Sequence, residues 1–157
     1  MNRRNFFKII FKTAIFFNII HLNAFAKLKE MIRNDSEWKK ILTPEQYYIL
    51  REEGTEKAGT SELNDEKREG NYVCVGCDTK LFHSSMKYDS GTGWPSFYTH
   101  YPDVFEIKKD YKLFYPRTEY HCFVCKGHHG HVFNDGPRPT GKRFCNNGVA
   151  LKFVPKA

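Results

Sequence analysis

The sequence predicts a mainly β domain of the α+β class, with helices at its N-terminal end, on three observations. From Asn71 onward the chain is a series of short apolar runs broken by Gly, Pro, Asp and Asn, the texture of an antiparallel sandwich or barrel. Before that, residues 27–60 carry helix signals and no strand-like alternation. Finally, 157 residues with 40% apolar and 16% aromatic side chains suffice for one buried core and little more.

The helical part has two pieces. Asp35-Ser36 can cap a short helix through Leu42. Thr43-Pro44-Glu45-Gln46 then places Thr at the cap, Pro at the first helical position and Gln three residues after the cap. That second helix should run to about Glu53 and stop at Gly54. Residues 56–70 are charged and flanked by Gly, and read as a connecting loop; nothing from 27 to 60 carries chemistry on this reading. The expected strands are Tyr72–Val75, Leu81–His83, Val104–Lys108, Thr118–Phe123, His131–Phe133 and Val149–Phe153.

Charge narrows the functional classes. The net charge is +7, but four of the 25 basic residues and none of the 18 acids fall in residues 1–26, leaving +3 on the rest. The basic side chains of the folded part are scattered, so a nucleic-acid surface has little support. Residues 1–26 read as an export signal. Arg3-Arg4-Asn5-Phe6-Phe7-Lys8 leads into an apolar stretch from Ile9 to Ile20, which ends near Ala24-Phe25-Ala26, a small-residue cleavage pattern. The paired arginines resemble those of a twin-arginine signal, so the expected location is the bacterial periplasm. An uncleaved membrane anchor is the alternative, with Lys8 and Lys12 weakening any continuous apolar span. Residues 27–35 would be a linker and residues 36–154 the folded domain.

Five cysteines divide by spacing. Cys74-Val75-Gly76-Cys77 and Cys122-Phe123-Val124-Cys125 are two C-x-x-C pairs, whose tight turns can aim four sulfurs at one tetrahedral Zn²⁺. The long interval between the pairs means that the tertiary fold must join them. No His follows either pair, which excludes c-type haem attachment, and a redox-active C-x-x-C remains the rival to a structural metal. Cys145 is left as the nucleophile candidate, in Arg143-Phe144-Cys145-Asn146-Asn147, where a guanidinium two residues away favours the thiolate; a buried inert cysteine is the alternative. In His128-His129-Gly130-His131 a bend at Gly130 could bring His128 and His131 together as proton donors, against a solvated turn or metal ligation. Trp94, between Gly93 and Pro95, is either the wall of a pocket or a core residue.

These motifs closely resemble the B-type methionine sulfoxide reductases: Gly93-Trp94-Pro95-Ser96-Phe97, His128-His129-Gly130-His131-Val132-Phe133, Asp135-Gly136-Pro137-Arg138-Pro139-Thr140-Gly141 and Arg143-Phe144-Cys145-Asn146-Asn147, over about residues 36–154. The resemblance implies reduction of the R epimer of methionine sulfoxide in oxidised proteins. It implies two small antiparallel sheets in a barrel- or tent-like domain with N-terminal helices, and one structural zinc on Cys74, Cys77, Cys122 and Cys125. By matching position, Cys145 would be the nucleophile, Trp94 the residue packed on the substrate's S-methyl group, and His128, His131 and Asn147 the polar side of the pocket, with Arg143 beside the nucleophile. His129 stands where the family usually has Leu, and Asn146 where it usually has a β-branched apolar residue, so two polar groups fall where packing is expected. Some relatives carry a resolving cysteine where this chain has Thr92. With four cysteines committed to metal, an external thiol, a thioredoxin-like protein or another dithiol donor, is therefore expected to regenerate Cys145. No nucleic-acid partner is implied, and a monomer is expected. The rival readings are a zinc-knuckle binding module without catalysis and a thiol–disulfide oxidoreductase using a C-x-x-C.

Overall fold

The computed structural model describes residues 30–113 and 115–157. The export segment expected over residues 1–26 lies outside the described residues. Among the described residues two helices come first, α1 (Asp35–Ile41) and α2 (Pro44–Glu52). Nine strands follow: β1 (Gly70–Cys74), β2 (Lys80–His83), β3 (Lys87–Tyr88), β4 (Ser96–Phe97), β5 (Phe105–Asp110), β6 (Arg117–Cys122), β7 (His128–Phe133), β8 (Arg143–Asn146) and β9 (Leu151–Pro155). They form two antiparallel sheets, a three-stranded one in the order β2-β1-β9 and a six-stranded one in the order β3-β4-β8-β7-β6-β5. This is the mainly β domain with N-terminal helices that was expected. Each sheet has free outer strands, so the described strands do not close into a barrel.

The helix starts follow from capping. α1 is capped one residue earlier than expected: the Asn34 side chain accepts from the Glu37 backbone N–H at 3.0 Å, and Glu37 reaches back to the Asn34 N–H at 2.8 Å. Asp35 then lies in the first turn, where its charge complements the helix dipole. At α2 the expected reciprocal pair between Thr43 and Gln46 is present. The left-handed residue that ends α2 is Glu53, with φ 55°, rather than Gly54. Gly54 lies under the Tyr48 ring, which a Cβ there would displace.

All six expected strands exist, with ends that coincide or shift by up to three residues. β3, β4 and β8 were not foreseen, since two of them are two residues long and β8 reads Arg-Phe-Cys-Asn. The core joins the layers. Trp38, Ile49 and Leu50 of the helices bury against Tyr72, Phe82, Phe97, Tyr120 and Phe144 of the sheets. Phe82 and Phe97 stack at 3.9 Å, tying the two sheets together. α2 packs on β7 and on the short 3-10 turn Gly148–Ala150, which places the helix behind the strands that carry the functional residues.

Candidate active site

Both C-x-x-C pairs sit at the same structural position, a strand end followed by a turn. Cys74 ends β1 and Cys122 ends β6. In each turn the residue after the second cysteine, Asp78 or Lys126, has φ near +57° and returns its N–H to the carbonyl of the first cysteine, at 2.8 Å and 2.9 Å. The two turns face each other across the sheets. Cys74 and Cys125 sulfurs are 3.5 Å apart, Cys77 and Cys122 sulfurs 3.6 Å, and all four lie within 4.8 Å of one another. Those separations are close to the edge of a tetrahedron of thiolates around one metal ion, and far longer than an S–S bond. The four cysteines could hold a metal ion, and all five cysteines are unbridged. The pairs therefore fit a shared metal better than a redox disulfide.

The second site is built on one row of the larger sheet. Ser96, Cys145, His131 and Glu119 are successive cross-strand partners on β4, β8, β7 and β6, so Cys145 and His131 point to the same face. Gly130 makes the row possible, because a Cβ there would collide with the Cys145 carbonyl. A cavity of about 120 Å³ opens above the row, lined by Trp94, Cys145, His131, Asn147, Phe133 and Arg117 among others.

Cys145 is half-buried. Burial pushes its thiol up from the ordinary value and outweighs the opposing pull of the Arg143 charge and of hydrogen bonds from Thr92 and Arg143. The guanidinium acts in the direction the sequence suggested, but its charge is shared. Nε and one terminal nitrogen of Arg143 clasp Asp135 at 2.9 Å and 2.7 Å, and the guanidinium also lies over the Phe133 ring at 4.3 Å. At rest Cys145 is a thiol more than a thiolate.

The two histidines come together, with ring centroids 5.5 Å apart, but only His131 lines the cavity. His131 Nε2 is 2.7 Å from Asp110 Oδ2, and burial lowers its pKa despite that carboxylate, which keeps the ring neutral near pH 7. Asp110 is itself held well below the usual carboxylate range; burial opposes this, but the Lys112 backbone N–H, His131 and Arg117 prevail. His128 lies behind His131, buried, with Nδ1 at 2.7 Å from Glu119 Oε1, and Lys108 meets the other oxygen of that carboxylate at 3.0 Å.

Trp94 and Asn147 are fixed by a residue the sequence reading passed over. The backbone carbonyl of Glu56 accepts from the Trp94 indole N–H at 3.1 Å, and its backbone N–H donates to Asn147 Oδ1 at 3.0 Å. The buried Glu56 carboxylate accepts from the N–H groups of Gly148 and Val149 at 2.7 Å and 2.9 Å. Burial raises its pKa even against those two donors. Residues 27–60 thus do reach the site, through Thr55, which lines the cavity, and through Glu56, which in sequence looks like one more charge in a loop. The Asn147 amide also donates to the His129 carbonyl at 3.0 Å, so most of its capacity goes to holding β7 and the 148–150 turn in place.

Both unusual polar residues are fully buried and partnered. Asn146 accepts from the Tyr120 hydroxyl at 2.9 Å and donates to the Asn147 carbonyl at 2.6 Å. His129 places Nε2 3.4 Å from the Cys74 sulfur, and burial lowers its pKa to about 3, so the ring is neutral. Asn146 is thus satisfied at both ends of its amide, whereas the buried Nδ1 of His129 has no hydrogen-bond partner among the described residues.

Comparison with known proteins agrees with this geometry. The SelR domain model matches residues 42–155. Peptide methionine sulfoxide reductase B1, chloroplastic, of Arabidopsis thaliana is 56% identical over 132 residues, covering 83% of this chain and 63% of that protein. The rice protein of the same name is 57% identical over 120 residues, 76% of this chain and 56% of that protein. Peptide methionine sulfoxide reductase MsrB of Leptospira interrogans is 54% identical over 125 residues, 79% of this chain and 95% of that protein. This chain therefore spans about three-fifths of the length of the two plant relatives and nearly all of the Leptospira one. With matches of this extent to both the domain model and full-length relatives, the chain belongs to the SelR-domain family of B-type peptide methionine sulfoxide reductases.

Proposed function

We propose that this protein reduces methionine (R)-sulfoxide in oxidised proteins, using Cys145 as nucleophile. The observation that carries the proposal is the placing of Cys145, His131 and Trp94 around one cavity, apart from the four clustered cysteines. The substrate's S-methyl group would pack on the indole of Trp94, with its oxygen toward His131 and the Asn147 amide. One epimer fits that arrangement and its mirror image does not. Cys145 Sγ attacks the electrophilic sulfur; the oxygen passes to Cys145 as methionine is released. Electrons balance: the substrate sulfur gains two, and Cys145 loses two in becoming a sulfenic acid. The proton lost by the thiol ends on the transferred oxygen, with His131 as the relay and His128 behind it. A relay is needed because Cys145 rests as a thiol.

Two external thiols then return Cys145 to the thiol, releasing water and a disulfide. A thioredoxin-like dithiol protein is the chemical class that suits this step, since the other four cysteines are drawn into the metal cluster. The cluster suits one structural zinc held by Cys74, Cys77, Cys122 and Cys125, which would tie β1 to β6 and takes no part in the reaction. Residues 1–26 are proposed as an export signal that places the domain in the periplasm, which determination of the mature N-terminus would test. The activity is tested with epimer-resolved N-acetylmethionine sulfoxide and dithiothreitol: the R epimer should be consumed by the wild type and not by Cys145→Ala. Equal consumption by both would dismiss the proposal.

A further inference from the structure

The connection between β5 and β6 has both ends anchored in the site. Asp110 accepts from the Lys112 backbone N–H at 2.8 Å and pairs with Arg117 at 2.6 Å and His131 at 2.7 Å. Arg117 lines the cavity. Between these anchors the chain reads Tyr111-Lys112-Leu113-Phe114-Tyr115-Pro116. Tyr111 is 73% exposed, Tyr115 60% and Leu113 47%. β5 is an outer strand among the described residues, so none of their strands pairs beyond it. Grouped large apolar side chains in water are unfavourable unless something covers them part of the time.

We propose that this aromatic connection is a docking surface for the polypeptide on either side of the oxidised methionine, and that it favours segments with apolar neighbours. The inference rests on the proposed function, because the occupant is the chain that delivers the sulfoxide. A cavity of about 120 Å³ holds one side chain, so the neighbouring substrate residues must lie on its rim. Tyr115 is two residues from Arg117, within about 7 Å along an extended chain, so the positions next to the sulfoxide fall over it. The apolar preference follows from the surface itself, since exposed Tyr111, Leu113 and Tyr115 lose water contact favourably only against apolar side chains.

The test compares three substrates: N-acetylmethionine (R)-sulfoxide, a pentapeptide with the sulfoxide between Leu and Phe, and one with it between Ser and Asn. Wild type should favour the apolar peptide over the polar one by about tenfold in kcat/KM, the worth of partly burying one large side chain. Tyr111→Ser with Tyr115→Ser should lose that preference and keep its turnover of the small substrate; Leu113→Ser alone should weaken it. A preference that survives in the double variant, or a parallel loss on all three substrates, would overturn the docking surface. If wild type reduces none of the three, the proposed function itself fails and this inference falls with it.

Discussion

Cys145 and His131 are direct cross-strand partners on β8 and β7, and both open into the same cavity. The proposed nucleophile and proton carrier are thus set side by side by sheet register, which a one-residue slip would destroy. Replacing His131 with Ala should lower kcat by roughly 10²-fold, the usual scale of a lost acid–base group, while alkylation of Cys145 by iodoacetamide stays near the wild-type rate. Stopped-flow turnover and mass-spectrometric labelling would measure the two separately.

The ion pair of Arg143 with Asp135 sets the thiol. Arg143 pulls the Cys145 pKa down and Asp135 pushes it up, within a site where burial already raises it. In Asp135→Asn the guanidinium loses its counter-charge, so the midpoint of Cys145 alkylation against pH should move to lower pH. In Arg143→Met it should move higher. A midpoint that moves the same way in both variants would show that the pair does not tune the sulfur.

Glu56 joins the two walls of the cavity. Glu56→Ala leaves the Gly148 and Val149 N–H groups without their acceptor, at a cost of about 2–4 kcal/mol in denaturant unfolding if both stay dry. Because the backbone of the same residue holds Trp94 and Asn147, kcat/KM should fall more than stability alone explains, and Glu56→Gln should recover part of both. Unfolding curves and kinetics on the two variants would decide it.

Thr92 stands within hydrogen-bonding reach of Cys145. Thr92→Cys should therefore place a second thiol beside the sulfenic acid. After one turnover without reductant, intact-mass analysis should find an intramolecular disulfide in this variant and none in the wild type.

Much of this architecture is legible in the sequence because the signals are local. The Thr43-Pro44-Glu45-Gln46 cap, the C-x-x-C turns and the bend at Gly130 each need only a few neighbouring residues. What is not legible depends on register between distant strands. Glu56 and Gly148, Asp110 and His131, and Glu119 and His128 meet only after folding, and each carboxylate looks in sequence like an ordinary surface charge. The same applies to β8, whose Arg-Phe-Cys-Asn pattern is neither apolar nor alternating yet is held in the middle of the larger sheet. His128 and His131 have equal claims in sequence; the bulge in β6–β7 pairing turns both to one face, and their places along β7 leave only His131 at the cavity.

The cysteine cluster makes a structural prediction of its own. Cys77→Ser should release bound zinc and lower the thermal midpoint by at least about 10 °C, since such a site contributes directly to folding. Metal analysis and calorimetry on the purified chain would show it.

The most direct measurement is a single turnover: purified, zinc-loaded protein mixed with an equivalent of N-acetylmethionine (R)-sulfoxide and no reductant. One methionine should form per chain, with a dimedone adduct on Cys145 and zinc retained. Loss of zinc together with a disulfide among Cys74, Cys77, Cys122 and Cys125, or methionine formed equally by Cys145→Ala, would contradict the division between a lone reactive sulfur and four held by metal.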